Sequence, residues 1–133
     1  LRIHGAAWQT HPAEVARLTE EARAAGVEIN LRDGIGMAYG PAPTAGSPGV
    51  MVLDREASYG AWLHEFRHMR DDREAGWLGM RGWFSDAEVR AGSEIRAYDV
   101  EIQYAEQIGD TASAERLRLL RDEEVRMIME GDR

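Results

Sequence analysis

The chain contains no cysteine, and none of its basic residues is lysine. Without thiols there is no disulfide and no thiolate ligand. Any bound metal must be held by imidazole and carboxylate, and the fold tolerates reducing or oxidising surroundings. All 16 basic residues are Arg. That bias fits a GC-rich genome, or an avoidance of lysine-directed modification inside a host cell. No apolar run approaches the ~18 residues a membrane-spanning helix needs. The first residues show no signal-peptide pattern. Positive charge is also scarce, with 16 basic against 24 acidic residues and a net charge of −8. That balance argues against nucleic acid, which requires a basic footprint, and leaves room for a basic substrate or partner.

The 133 residues make one domain, spanning 1–133 and large enough for a hydrophobic core. A hydrophobic share of 44% beside 30% charged residues is that of a folded globular chain rather than a disordered one. The chain begins at Leu1, which reads as the excised C-terminal part of a longer polypeptide or a trimmed form of one.

Leu1 to Thr10 form a short lead with His4 and Trp8. Pro12 near a helix start, Glu14 in its first turn and an apolar stripe of Val15, Leu18, Ala22 and Ala25 predict a helix that Gly26 ends. His11 reads as an exposed cap. Val27–Leu31 alternates as a half-buried strand does, and Asp33-Gly34 is turn chemistry. Met37–Tyr39 is a short second strand. Gly40–Gly49 holds three of the four prolines and reads as a loop that could form a rim or lid. Val50–Leu53 is a third strand.

A helix from about Ala57 to Arg73 follows, capped by Asp54 or Ser58. Trp62, Phe66, Met69 and Arg73 form its core face, and Ala61, His64, His68 and Asp71/Asp72 another. Gly76–Phe84 is a connector whose tryptophans plug the core beneath it. Ser85-x-x-Glu88 reads as a capping box for a helix running to Ile108, broken at Gly92-Ser93. A last helix, Thr111–Glu130, reads as a cover without chemistry. Strands before helices indicate an α+β domain: an N-terminal helix, a sheet of two or three strands, the motif helix and two C-terminal helices.

The informative stretch is His64-Glu65-Phe66-Arg67-His68. On a helix, residues four apart share a face, with Cβ atoms about 5–6 Å apart, so two imidazoles can close on one metal ion. Glu65 lies beside them and can reach a water there without ligating. The bland alternative is a surface helix that carries two histidines by accident. Two imidazoles are too few, because a catalytic zinc takes three protein ligands and keeps a fourth position open. Asp72 shares the face but lies one turn too far along the axis, so Asp71 and Asp72 read as a solvated or outer pair. The third ligand is expected from the next helix. Glu94 is the leading candidate, with small Ala97 one turn on to permit close approach; Glu88 and Glu101 compete.

His64-Glu65-x-x-His68, preceded by an apolar strand and followed by Glu94-x-x-Ala97, resembles the gluzincin branch of the zincin metallopeptidases. The chain is most similar to the minimal zincin-like domains at the C-termini of bacterial polymorphic toxins and effectors. The resemblance covers roughly Val50 to Ile108. It departs from the better-known pattern in placing Tyr98, not Asp, four residues after Glu94.

The resemblance implies a bacterial protein, secreted or delivered into a target cell as part of a larger polypeptide. It implies one Zn²⁺ on His64, His68 and Glu94, and hydrolysis of peptide bonds with Glu65 as general base. Tyr98 is the expected oxyanion donor, with Tyr59 and Tyr39 behind it. Val50, Met51 and Val52 are expected to bind extended substrate along an edge strand. The partners implied are a protein or peptide substrate and a cognate immunity or inhibitor protein. A non-catalytic binding module and a zinc-dependent deamidase are the alternatives.

Overall fold

The computed structural model describes residues 5–131. A one-turn helix, α1 (Ala7–Thr10), leads into α2 (Pro12–Ala24). A three-stranded sheet follows, β1 (Glu28–Leu31), β2 (Ala38–Gly40) and β3 (Val50–Leu53), and then α3 (Tyr59–Glu74), α4 (Gly79–Phe84), α5 (Ala87–Gln107) and α6 (Thr111–Gly131). The architecture is a small α+β domain, as the order of strands and helices in the sequence indicates. Among the described residues, no helix is long and apolar enough to cross a membrane.

Pro12 opens α2, where its missing N–H loses nothing. Gly26, at φ +82°, closes it: Gly26 N–H bonds Arg23 O, and Val27 N–H bonds Ala22 O. Only a residue free of a Cβ takes this left-handed turn cheaply. The same closure recurs at Gly76 after α3, where Trp77 N–H returns to Asp72 O at 2.8 Å. Of the two candidate caps for α3, Ser58 is the one, its Oγ accepting from Ala61 N–H at 3.3 Å. Asp54 instead gathers the N–H groups of Gly34, Gly36 and Glu56 at the end of β3.

The core lies between the sheet, α2 and α3. Leu18, Ala22, Val27, Met51 and Leu53 meet Trp62, Phe66 and Met69, the stripe the helical period isolates on α3. Arg73, placed on the same stripe, is exposed instead. A smaller cluster of Ile102, Ala105 and Ala114, with Tyr98 and Leu117 against it, joins α5 to α6.

Several expectations need correction. The strand order is β1-β3-β2, with β3 parallel to β1 and antiparallel to β2. Val50, Met51 and Val52 therefore sit in the central strand, their main chain engaged on both sides, and cannot receive a substrate strand; the edges are β1 and β2, and β2 is the one that borders Glu65. The Gly40–Gly49 loop is no lid. Gly46 N–H bonds Trp77 O and Met80 N–H bonds Ala42 O, each at 2.8 Å. A Cβ on Gly79 would strike Ala45 N at 2.7 Å, so loop and α4 are pressed together.

The connector contains a helix, α4, that no periodicity announced in so short a run. The cap of α5 is Asp86, whose carboxylate accepts from Glu88 and Val89 N–H, so the Ser85 box is displaced by one residue. Nor does α5 break at Gly92-Ser93, because Ser93 is buried and its hydroxyl bonds neighbouring side chains. His4 lies outside the described residues. His11 stacks on Tyr59 with ring centroids 4.0 Å apart and meets Tyr104 Oη at 3.2 Å, pinning the start of α2 to α3 and α5.

Candidate metal centre

The site forms where α5 crosses α3. Buried Ala97 and Ser93 present short side chains there, which lets the two helices close until Glu94 reaches the histidines. Glu94 Oε1 lies 2.9 Å from His64 Nε2, and its Oε2 lies 3.1 Å from His68 Nε2. One donor atom from each of the three residues falls within 4.8 Å of the others. Donors about 2.0–2.1 Å from a tetrahedral ion stand about 3.3 Å apart. The three residues therefore fit a metal ion with little adjustment, and among the described residues they are the one His/Cys/Asp/Glu group that does.

The far side of each imidazole is also held. Glu101 Oε1 stands 2.6 Å from His64 Nδ1. His68 Nδ1 meets Ser93 Oγ at 2.8 Å, and that hydroxyl donates to Asp71 Oδ2 at 3.1 Å. A partner on Nδ1 fixes the ring and directs Nε2 to the metal position. Glu101, read from the sequence as a rival ligand, anchors the His64 ring instead. The pattern Glu94-x₆-Glu101, two turns of one helix face, was the available signal. Ser93 and Asp71 carried none that spacing could reveal.

Asp72 is not solvated. It is fully buried and accepts from Tyr39 Oη–H at 2.5 Å, Leu78 N–H at 2.8 Å and Trp83 Nε1–H at 2.9 Å. One carboxylate thus ties α3 to β2 and α4, two walls of the cleft. Asp71 is also buried, paired with Arg67 and with Arg96.

Glu65 points into the site, its Oε2 3.9 Å from His64 Nε2. Its Oε1 accepts from Tyr39 N–H of β2 at 2.9 Å, so the edge strand orients it. Burial raises the Glu65 pKa above the usual carboxylate value, against the pull of the two histidines. Burial also opposes charge on His64, but the Glu101 and Glu94 carboxylates outweigh it and push the imidazolium up to about 10. For Glu94 burial opposes ionisation too, and the hydrogen bonds to His64 and His68 overcome it, holding the carboxyl down to about 2.

Tyr98 is beside the site but not as expected. Its ring packs edge-on to His64 with centroids 4.7 Å apart, while its hydroxyl donates to Glu124 Oε2 of α6 at 3.3 Å. Burial and the acidic neighbours Glu124 and Glu94 raise its pKa. Tyr59 packs on His11 away from the metal position, and the Tyr39 hydroxyl is committed to Asp72.

A cleft of about 170 Å³ opens beside His68 and Glu94. Tyr39 and Pro41 form one wall, Trp83 and Phe84 another, and Arg90, Glu124 and Ile128 the rest. Trp83 is both core plug and cleft wall, with its ring centroid 6.3 Å from that of His68. By supplying Glu124 and Ile128, α6 does more than cover.

Three comparisons, with family models, with curated proteins and with solved structures, match the chain to nothing.

Proposed function

We propose that this domain is a zinc-dependent hydrolase of peptide bonds, with His64, His68 and Glu94 as ligands and Glu65 as general base. The observation that carries the reading is the placement of Glu65. Glu65 is half-buried, oriented by a main-chain N–H and turned to the position the triad surrounds, which is what proton transfer there requires. Two imidazoles and one carboxylate suit zinc or iron(II); Glu65 beside them, placed to take a proton from water, favours the hydrolytic ion, zinc.

When bound, zinc supplies a Lewis acid that polarises the scissile carbonyl and lowers the pKa of water toward 7. The chain's own groups do the rest. The Nδ1 partners Glu101 and Ser93 keep both Nε2 atoms directed inward. Glu65 takes the proton of the attacking water at its free oxygen while Tyr39 N–H holds the other. The water oxygen bonds the carbonyl carbon, the carbon–nitrogen bond breaks, and Glu65 returns the proton to the leaving nitrogen. An extended peptide aligned with β2, whose Tyr39 borders the cleft, would pass the metal position in reach of Glu65.

The test is Glu65→Gln, with zinc content and cleavage of a proteome-derived peptide pool measured together. The wild type is expected to hold about one zinc per chain, and the variant to keep the metal while losing about 10²–10⁴-fold in turnover. A variant that cleaves as fast as the wild type removes the assignment.

A further inference from the structure

Most arginines near the site have carboxylate partners. Arg67 and Arg96 bind Asp71, and Arg70 binds Glu21. Arg90 has none among the described residues. Its guanidinium carbon lies 5.4 Å from the centre of the Phe84 ring, which packs it without satisfying its donors. It is half-buried and lines the cleft that His68 and Glu94 border.

The other charges in that cleft are already engaged. Glu94 faces the two histidines, and Glu124 accepts from Tyr98. Arg90 is therefore the cleft's one cationic donor without a carboxylate partner among the described residues. Its position on α5 sets the range. Arg90 precedes Glu94 by four residues, one turn along the same face and about 6 Å of rise. An extended peptide advances about 3.3–3.6 Å per residue. A group that meets Arg90 thus lies one or two residues from an amide placed at the metal.

We propose that Arg90 selects substrates carrying a carboxylate within two residues of the bond that is cut. A planar guanidinium meets a carboxylate through two parallel N–H···O bonds, and an amide cannot reproduce that pairing. The carboxylate can come from an Asp or Glu side chain or from a free C-terminus. The inference rests on the hydrolase reading above and names its substrate class.

Peptide pools of degenerate sequence with Glu or Gln fixed at the centre, each as free acid and as C-terminal amide, separate the two sources. The zinc-loaded full chain is expected to cleave one carboxylate-bearing set about 10- to 100-fold better than its amide counterpart. A Glu-over-Gln preference in amidated pools identifies the side chain; a free-acid preference in Gln pools identifies the terminus. Arg90→Gln should erase the preference with zinc content unchanged, and Arg90→Glu should turn it toward Lys.

Binding of the same pools to zinc-loaded Glu65→Gln, read by fluorescence competition, provides a measure independent of turnover. It should show the same preference, lost again when Arg90→Gln is added. Cleavage with no carboxylate preference, or a preference that survives Arg90→Gln, overturns this proposal and leaves the hydrolase reading standing. Zinc-loaded wild type that cleaves nothing while Glu65→Gln binds with the Arg90-dependent preference overturns the hydrolase reading and keeps only the recognition of a carboxylate by Arg90.

Discussion

The half of the molecule that carries the histidines and the half that carries Glu94 are built differently. α3 rests on a core in which Met51, Trp62, Phe66 and Met69 are almost wholly buried and Trp62 stacks on Phe66. α5 and α6 share only Ile102, Ala105 and Ala114 as buried apolar residues, and Leu119, Met127 and Met129 of α6 are exposed. Two of the three candidate ligands are therefore anchored by bulk packing. The third comes from a helix held to α3 largely by short side chains and by the polar partners of the histidines themselves. The difference suggests that a bound ion joins the halves as well as serving chemistry.

The largest effect should follow from damaging the stronger half. Phe66→Ala removes a ring that is wholly buried, and such truncations cost about 3–5 kcal/mol. Chemical denaturation should show a loss of that size, accompanied by loss of zinc. Truncating Leu117, half-buried in the weaker cluster, should cost no more than about 1–2 kcal/mol and leave zinc in place, because partly exposed side chains lose less transfer energy. Equal losses would mean that the two clusters are one cooperative core.

The seam between the halves is the next target. Glu101→Gln keeps a hydrogen-bonding group at His64 Nδ1 but removes its charge. Zinc affinity should fall about 10- to 100-fold, as removal of outer partners does elsewhere, and at fixed free zinc the loaded protein should lose the matching ~1.4–2.7 kcal/mol of stability. Ser93→Ala should do less, since the partner lost by His68 is neutral. Affinity unchanged in Glu101→Gln would show that α3 packing alone fixes the ring.

Acid and base act on the same seam. In the metal-free protein the His64 pKa is raised to about 10. Its pairing therefore stabilises the fold fully below the ordinary imidazole value of 6.5 and loses that contribution as pH rises toward 10. Glu94, depressed to about 2, contributes above its ordinary 4.5 and loses that as pH falls toward 2. Zinc must displace the His64 proton, so its apparent affinity should weaken about tenfold for each pH unit below 10, with about one proton released per ion bound near neutrality. Titration calorimetry in buffers of different ionisation enthalpy measures that release. No proton release at pH 7 would mean that His64 is neutral before the metal arrives.

What could be read in advance follows the same division. His64, His68 and Glu65 are legible because they lie on one helix, where spacing along the chain is spacing in space. Glu94 was reachable because a glycine-rich connector can return the chain and small Ala97 stands one turn on. Ser93, Asp71 and Asp72 act across elements, and nothing in a linear pattern distinguishes a buried carboxylate with three donors from a solvated one. Strand order has the same character. Val50–Leu53 reads as a strand from its apolar run, but its central place depends on β1 and β2 pairing to either side, which register alone decides. The Ser85 box failed for a subtler reason, since Asp86 offers an equally good cap one residue on.

Tyr98 gives the smallest expected effect and tests the comparison most finely, because it belongs to the weaker half by packing and touches the stronger half through His64. Its ring supports the imidazole, and its hydroxyl is held by Glu124 of α6. Tyr98→Phe keeps the ring and removes the hydroxyl. If the ring is what matters, zinc affinity and kcat should both stay within about threefold of wild type, the range of a lost half-exposed hydrogen bond. If the hydroxyl leaves Glu124 to steady the oxyanion, kcat should instead fall about 10²–10³-fold with zinc affinity intact. That second result would show that α6 releases Tyr98 when substrate enters, and that the weaker half moves because its packing allows it.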